Sequence, residues 1–215
     1  RGLTSIRQGT GSSLFANWFE ENLMSWKTDY RSFYYQGAPE PEDPRLSTTD
    51  TLLLTIDIQN TYLQISDDPE QRRRWDPFQK RMRQIVIPTV RRLQESFRER
   101  GMDVVHARIA CLLDDGRDRS LSQKMPGWNN LLMPKTSEES QILDEVAPLP
   151  GEIVVTKTTD SALTGTNLRL VLHNMGIRHV VVTGIYTDQC VSSTVRSLAD
   201  ESFDVVVVED CCAAG

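Results

Sequence analysis

Short apolar runs alternate with stretches of helical periodicity from Thr51 to the end of the chain. The apolar runs predict five strands, at residues 51–57, 102–107, 152–156, 179–183 and 203–208. Apolar residues at helical spacing predict helices between them, at residues 82–97, 137–146, 167–175 and 191–201. Strands that alternate with helices make a parallel sheet covered on both faces, and the Val-rich runs agree because parallel strands are buried on both sides. The pattern therefore predicts an α/β fold, an open parallel sheet of five or six strands in a Rossmann-like three-layer sandwich.

Two residues indicate where the first predicted helix bends or ends. Pro88 either kinks one helix or marks the first turn of a second one. Gly101 is typical of the residue that follows a helix. The crossover at residues 108–150 is long, and a connection of that length in a compact domain is usually functional.

The first 50 residues have a different character. They hold eight aromatic residues at irregular spacing, followed by a Pro-rich stretch that can be neither a helix nor a central strand. We expect an arm and linker over residues 1–50, with one short helix near residues 14–26, ahead of a regularly patterned domain over residues 51–215. Because so many aromatic rings are costly to leave in water, the arm is expected to pack across a neighbouring subunit or over its own domain, and the protein is expected to be a homo-oligomer.

Composition narrows the classes of function. The formal net charge is -6, the pI is about 5.2 and no basic tract occurs, which argues against a nucleic-acid partner. No apolar run approaches the roughly 20 residues that span a bilayer, so no membrane association is expected. Four cysteines without a C-x-x-C pair do not make a disulfide framework, and no signal peptide is visible at Arg1. These features together favour a cytoplasmic protein.

Three reactive residue types lie at predicted strand ends. Asp57 ends the first strand, Lys157 ends the third, and Cys190 follows the fourth at the start of a helix. Ligands of open parallel sheets sit beyond the carboxyl ends of the strands, so these side chains are expected to converge. The helix N-terminus and Lys157 would lower the pKa of the Cys190 thiol, and Asp57 could carry its proton. Each residue also has a structural alternative: a buried cysteine, a turn aspartate and an ordinary strand-end lysine.

Other candidate chemistry has little support. The three histidines, at positions 106, 173 and 179, do not form a metal set, and neither Gly-x-Gly-x-x-Gly nor a P-loop pattern occurs. We therefore expect no metal site and no cofactor. The Cys211–Cys212 pair is interpreted as buried packing after the fifth strand, and Arg72–Arg74 as a solvated face.

Three separated segments carry a family resemblance. They surround Asp57 (LTIDIQN), Lys157 (VTKTTDSALTGT) and Cys190 (GIYTDQCVSST), in matching order and spacing. On these motifs the chain resembles the isochorismatase-like cysteine hydrolases, a group that includes nicotinamidases, N-carbamoylsarcosine amidohydrolase, biuret hydrolase and ureidoacrylate amidohydrolase. The resemblance covers roughly residues 51–215.

The resemblance implies roles for particular residues. It implies an Asp57–Lys157–Cys190 triad, a cis peptide at Ile185–Tyr186, and an oxyanion hole formed by the backbone N–H groups of Tyr186 and Cys190. The histidine pair of zinc-dependent nicotinamidases is missing, and isochorismatases proper lack the cysteine nucleophile, so the amidase branch is favoured. The family also continues past the fifth strand, so the chain is expected to lack its C-terminal end.

These features predict a cysteine-dependent hydrolase of a C–N bond in a small amide, ureido or carbamoyl compound. Arg108, at the rim after the second strand, could bind a substrate carboxylate, and Asn60, Trp128 and Tyr186 could line the pocket. Two alternatives stay open: a hydrolase of another bond, such as a vinyl ether, and a non-catalytic binding or scaffold relative.

Overall fold

A computed structural model describes residues 31–40, 42–126 and 132–215. The described residues up to Arg45 and those from Leu46 onward belong to two separate units. In the first unit, three consecutive aromatic residues form one 3-10 turn, Phe33–Tyr35, and all three rings are exposed. The helix predicted at residues 14–26 lies outside the described residues.

The second unit is built on five strands, all parallel. Their order across the sheet is β3-β2-β1-β4-β5. The strands are β1 (Thr51–Ile56), β2 (Asp103–Ile109), β3 (Ile153–Lys157), β4 (His179–Ile185) and β5 (Asp204–Ala213). This arrangement confirms the predicted α/β fold with an open parallel sheet.

Five helices accompany this sheet among the described residues, and all but the shortest cover one of its two faces. They are α1 (Pro69–Arg81), α2 (Ile87–Glu99), α3 (Leu121–Lys124), α4 (Leu168–Asn174) and α5 (Ser192–Asp200). A π-helical turn, Met82–Val86, joins α1 to α2, so Pro88 stands in the first turn of a second helix, one of the two predicted alternatives. Helix α1 was not predicted from the sequence; it begins at Pro69, where the Asp68 side chain accepts a hydrogen bond from the Glu70 amide.

The helix predicted at residues 137–146 is wrong. The segment contains two short 3-10 turns, Glu138–Ser140 and Asp144–Val146. Between them the backbone is extended and hydrogen-bonds to the segment that follows β1, through the Leu143 amide to the Ile58 carbonyl and the Asn60 amide to the Gln141 carbonyl. These tertiary bonds replace the helical ones that the local periodicity favours.

The strand β5 is longer than predicted and includes Cys211 and Cys212, which were expected after it. Beyond an irregularity in the pairing of β4 with β5, Cys212 pairs with Gly184 and Ala213 with Ile185. Both cysteines are buried, as predicted. Pairing with β4 extends the strand past the polar Glu209 and Asp210, where the apolar pattern stops.

Buried side chains form apolar layers on the two faces of the sheet. One layer packs β1, β2 and β4 against α4 and α5, through Leu54, Val105, Val182, Leu172 and Leu198. On the other face, α1, the π-helical turn and α2 pack through the buried side chains Phe78, Met82, Val90 and Phe97. The carboxyl ends of the central strands are thereby held rigidly between two packed layers. Among the described residues, no helix is both long enough and apolar enough to cross a bilayer.

Candidate active site

The Lys157 ammonium group lies at the centre of a buried polar cluster at the carboxyl edge of the sheet. Its Nζ atom donates to Asp57 Oδ2 at 2.7 Å and to Cys190 Sγ at 3.3 Å. A third hydrogen bond, at 3.1 Å, goes to the carbonyl of Thr159. The ammonium group therefore joins the two candidate reactive side chains, which lie 100 and 33 positions away from it in the chain. The structure thus brings together the three residues that the sequence analysis singled out.

Asp57 occupies an unusual backbone position directly after β1. Its φ of 53° lies in the left-handed region, which is uncommon for a residue other than glycine. The backbone is held there by the Asp57 amide, which donates to the Ala107 carbonyl at 2.9 Å. Within the described part of the chain, its Oδ1 atom has no hydrogen-bond partner although it is buried. Such backbone geometry is often found at functional sites, and the unpartnered oxygen is free to accept a proton.

Burial and charge set the protonation of this cluster. Burial raises the pKa of Asp57, although Lys157 opposes the shift. Burial alone would lower the pKa of Lys157, but the charges of Asp57 and Cys190 outweigh it and raise that pKa. The lysine is therefore held as a cation, balanced by one negative charge that Asp57 and Cys190 can exchange.

The Cys190 thiol is less acidic than the sequence predicts. It belongs to a π-helical turn, Thr187–Val191, that precedes α5 rather than to the first turn of that helix. Burial raises its pKa well above the ordinary value, and the Asp57 carboxylate raises it further, while Lys157 lowers it. The expectation of a lowered pKa is therefore wrong for the protein without substrate. The thiol is protonated at rest and needs a proton acceptor.

The turn before Cys190 begins with a cis peptide bond at Ile185–Tyr186. The Tyr186 carbonyl accepts from the amides of Gln189 and Val191, which flank the cysteine. The Tyr186 ring packs at 5.3 Å from the Tyr62 ring and at 5.2 Å from the Phe78 ring. This aromatic packing holds the turn against α1 and against the segment that follows β1.

Two residues predicted to bind substrate have structural partners instead. Arg108 donates to Thr156 Oγ1 at 3.3 Å and to Gln141 Oε1 at 2.6 Å, so its guanidinium group holds the 135–141 segment. The Asn60 side chain donates to the Glu138 carbonyl at 2.9 Å. Neither side chain has a hydrogen bond to the triad among the described residues. Trp128, the remaining predicted pocket residue besides Tyr186, lies outside the described residues.

Sequence reasoning missed three residues at the site. Tyr62 and Gln123 line a small cavity of about 10 Å³, which has room for about one water molecule. Asp160 lies beside the triad, with Oδ1 at 4.0 Å from Cys190 Sγ. Asp160 stands three positions after Lys157 inside the second motif, which was the available signal for it; Tyr62 and Gln123 carry no such signal.

Among the described residues, no cluster of three or more His, Cys, Asp or Glu side chains is arranged to hold a metal ion.

Comparison with known proteins decides the family. The model of the Isochorismatase domain matches residues 51–215. The chain belongs to the isochorismatase family. This result confirms the resemblance to isochorismatase-like hydrolases that the three sequence motifs indicate.

Solved structures of isochorismatase-like hydrolases share the fold. N-carbamoylsarcosine amidase from Thermoplasma acidophilum is 25% identical, with a TM-score of 0.61 over 77% of this chain and 85% of that one. An isochorismatase family protein from Burkholderia thailandensis is 27% identical, with a TM-score of 0.61 over 79% of this chain and 81% of that one. A cysteine hydrolase from Pseudomonas syringae, 20% identical with a TM-score of 0.64 over 79% and 75% of the two chains, is similar in fold.

Proposed function

We propose that this isochorismatase-family protein hydrolyses a C–N bond in a small amide, ureido or carbamoyl compound, with Cys190 as the nucleophile. The observation that carries the proposal is the position of Lys157 Nζ, within hydrogen-bond distance of both Asp57 Oδ2 and Cys190 Sγ. A buried acid, cation and thiol in mutual contact can activate a nucleophile and protonate a leaving nitrogen. The amidase named among the structural neighbours supports this class of reaction.

The first half of the reaction forms a thioester. The Cys190 thiol gives its proton to Asp57 as sulfur attacks the substrate carbonyl, and Lys157 offsets the negative charge that moves onto sulfur. The oxygen of the tetrahedral intermediate would be stabilised by the backbone N–H groups of Tyr186 and Cys190. Asp57 then returns the proton to the nitrogen as the C–N bond breaks, so ammonia or an amine leaves and the acyl group stays on sulfur.

The second half of the reaction frees the enzyme. Asp57, again a carboxylate, takes a proton from water as the water oxygen attacks the thioester carbonyl. When the C–S bond breaks, the departing sulfur recovers that proton, and a carboxylic or carbamic acid is released. The raised pKa of the free thiol fits this cycle, because the thiolate need exist only while Asp57 holds the proton.

Release of ammonia or amine from a panel of small amides, ureas and carbamoyl acids tests the proposal. Cys190→Ser should lower kcat/KM on the order of 10³-fold or more, because a hydroxyl is far harder to ionise than a thiol. Cys211→Ala, which removes a buried thiol from strand β5, is the control and should retain turnover. A rapid-quench mass spectrum should show an acyl adduct on Cys190.

Two results would contradict the proposal. A panel in which no compound loses its nitrogen would count against C–N hydrolysis. Turnover that survives Cys190→Ser would overturn the cysteine mechanism while leaving hydrolysis itself in place.

A further inference from the structure

A second carboxylate, which the triad mechanism does not use, faces the nucleophile. Asp160 Oδ1 lies 4.0 Å from Cys190 Sγ, on the loop that follows β3. Lys157 Nζ donates to the carbonyl of Thr159, the residue before it, so the lysine of the triad also fixes the start of this loop. Any substrate carbonyl that reaches the sulfur must therefore lie close to Asp160.

The Asp160 carboxylate is held in place from the cavity side. Gln123 Nε2 donates to Asp160 Oδ1 at 3.1 Å, and the Gln123 side chain is itself buried. Gln123 also lines the cavity, together with Tyr62 and Ile109, and Ile109 pairs with Lys157 in the sheet. The carboxylate thus stands between the cavity and the nucleophile, with a fixed orientation.

Tyr62, which also lines the cavity, offers a hydrogen-bond donor. Burial raises the pKa of the Tyr62 phenol well above its ordinary value, and the charges of Asp57, Cys190 and Asp160 act in the same direction. The phenol therefore keeps its proton. A substrate at Cys190 would therefore lie near an acceptor, the Asp160 carboxylate, and a donor, the Tyr62 hydroxyl, which is the pairing that an amide or ureido group can satisfy.

We propose that Asp160 is a specificity-determining residue that selects substrates whose scissile group bears N–H donors and that rejects substrates with a carboxylate close to that group. The enzyme would thus act on neutral or cationic amides and ureas in preference to N-carbamoyl acids. The inference rests on the proposed function for its meaning in catalysis. Charge selection at Cys190 can, however, be measured without any turnover.

Iodoacetamide and iodoacetate make a matched pair of probes, because they alkylate the same thiol and differ in charge. Mass spectrometry of the peptide that contains Cys190 gives the rate constant for each reagent, and their ratio cancels any change in the pKa of the thiol. For Asp160→Asn, the preference for iodoacetamide should fall at least tenfold relative to the wild type. Asp76→Asn, which removes an exposed carboxylate on helix α1, is the control and should leave the ratio unchanged.

Hydrolysis of N-carbamoylglycinamide and N-carbamoylglycine supplies the second readout. The wild type should prefer the neutral compound by at least tenfold in kcat/KM, and Asp160→Asn should lose that preference. If Asp160→Asn fails to fold, Asp160→Ser provides the same loss of charge in both assays.

The results distinguish the specificity role of Asp160 from the proposed hydrolysis of a C–N bond. An alkylation ratio equal in the wild type and in the Asp160 variant would overturn the specificity role. A ratio that shifts as expected in a protein that hydrolyses no compound would support charge selection by Asp160 and overturn the proposed function alone.

Discussion

At the scale of single residues, the site depends on how two acids share one cation. Lys157 contacts both Asp57 and Cys190, and all three side chains are almost completely buried. Since two negative charges cannot both be stabilised by one ammonium group in this setting, the thiol stays protonated while Asp57 is ionised. The proton moves between them only when a substrate accepts the electron pair of sulfur.

Removal of the Asp57 charge should therefore make the Cys190 thiol more acidic. Burial and the Asp57 carboxylate raise the pKa of this thiol and Lys157 lowers it, so Asp57→Asn removes one of the raising influences while the lowering influence of Lys157 stays. The pH midpoint for alkylation of Cys190 by iodoacetamide should fall by about one pH unit or more. Hydrolysis should nevertheless be lost, because the amide cannot return a proton to the leaving nitrogen.

Peptide mass spectrometry over a pH series measures that midpoint, with Cys190→Ser as the control for labelling at this position. An unchanged or higher midpoint in Asp57→Asn would show that the carboxylate does not oppose ionisation of the thiol.

At the scale of elements, the close approach of strands β1 and β4 positions the acid. Gly184 pairs with Ile56, the residue before Asp57, and its φ is 122°. A Cβ atom added at Gly184 would lie 2.0 Å from the Ile56 carbonyl oxygen. Only glycine allows the two backbones to approach this closely next to the site.

Gly184→Ala should consequently destabilise the domain by at least about 3 kcal/mol, from backbone strain and overpacking together. Gly101→Ala is the matched control, because its φ of 65° is also left-handed while nothing lies within 4 Å of the added Cβ. The free energy of unfolding in urea should fall much less for Gly101→Ala. Equal losses in the two variants would mean that φ alone, and not the contact with β1, requires glycine.

A second pairing of elements joins α2 to strands β2 and β3 through Glu152. Arg98 Nε donates to Glu152 Oε1 at 2.7 Å, and His106 Nε2 lies 3.0 Å from Glu152 Oε2. Burial lowers the pKa of His106, although Glu152 opposes the shift. The pKa of Glu152 is also lowered, because hydrogen bonds from Arg98, the Leu149 amide and His106 outweigh the effect of burial.

Lowering the pH should reduce the free energy of unfolding through His106 and Glu152. Both folded-state pKa values lie below their ordinary values, so each group contributes stability above its ordinary pKa that is lost as the pH falls through the folded value. The free energy of unfolding should therefore decline below about pH 6.5 for His106 and decline further below about pH 4.5 for Glu152.

Urea unfolding at pH 7 and pH 5 tests the histidine contribution. His106→Gln should lose less stability between these pH values than the wild type, because glutamine does not titrate. The control variant is His173→Gln, which replaces an exposed histidine. Its loss of unfolding free energy between pH 7 and pH 5 should equal that of the wild type. If His106→Gln lost as much unfolding free energy between pH 7 and pH 5 as the wild type, the buried histidine would not be the source of the pH dependence.

At the scale of the whole molecule, the first unit exposes three aromatic side chains to which the site assigns no role. The rings of Phe33, Tyr34 and Tyr35 are 80%, 67% and 59% exposed. Consecutive exposed aromatic rings are typical of surfaces that bind another protein surface. This exposure supports the proposal that the arm takes part in a homo-oligomer.

Light scattering of the intact chain should therefore give the mass of more than one copy. Replacing Phe33, Tyr34 and Tyr35 together by serine should weaken this assembly and raise the concentration at which it forms. Leu170→Ser, at an exposed apolar position in the second unit, is the control. A monomer mass for the intact chain would contradict the oligomer, and unchanged assembly of the triple variant would contradict the role of these rings.

The amino-acid pattern was sufficient to predict the sheet and the convergence of its three reactive residues. Apolar runs mark buried strands, and parallel strands place their carboxyl ends at one edge of the sheet. The convergence of Asp57, Lys157 and Cys190 at that edge therefore follows from the sequence pattern. The motifs around these residues also gave the family correctly. Local signals were sufficient here because each of these features depends on the burial of one short segment and on the direction of the strand.

The electrostatics and the lining of the site depend on tertiary contacts that no local pattern indicates. The raised pKa of Cys190, the contact of Asp160 with sulfur, and the use of Arg108 to hold the 135–141 segment depend on distances between elements far apart in the chain. The same cause explains the missing helix at residues 137–146, where hydrogen bonds to the segment after β1 outweigh local periodicity. Periodicity reports which face of an element is buried, but the charge on a buried group depends on what is packed against it.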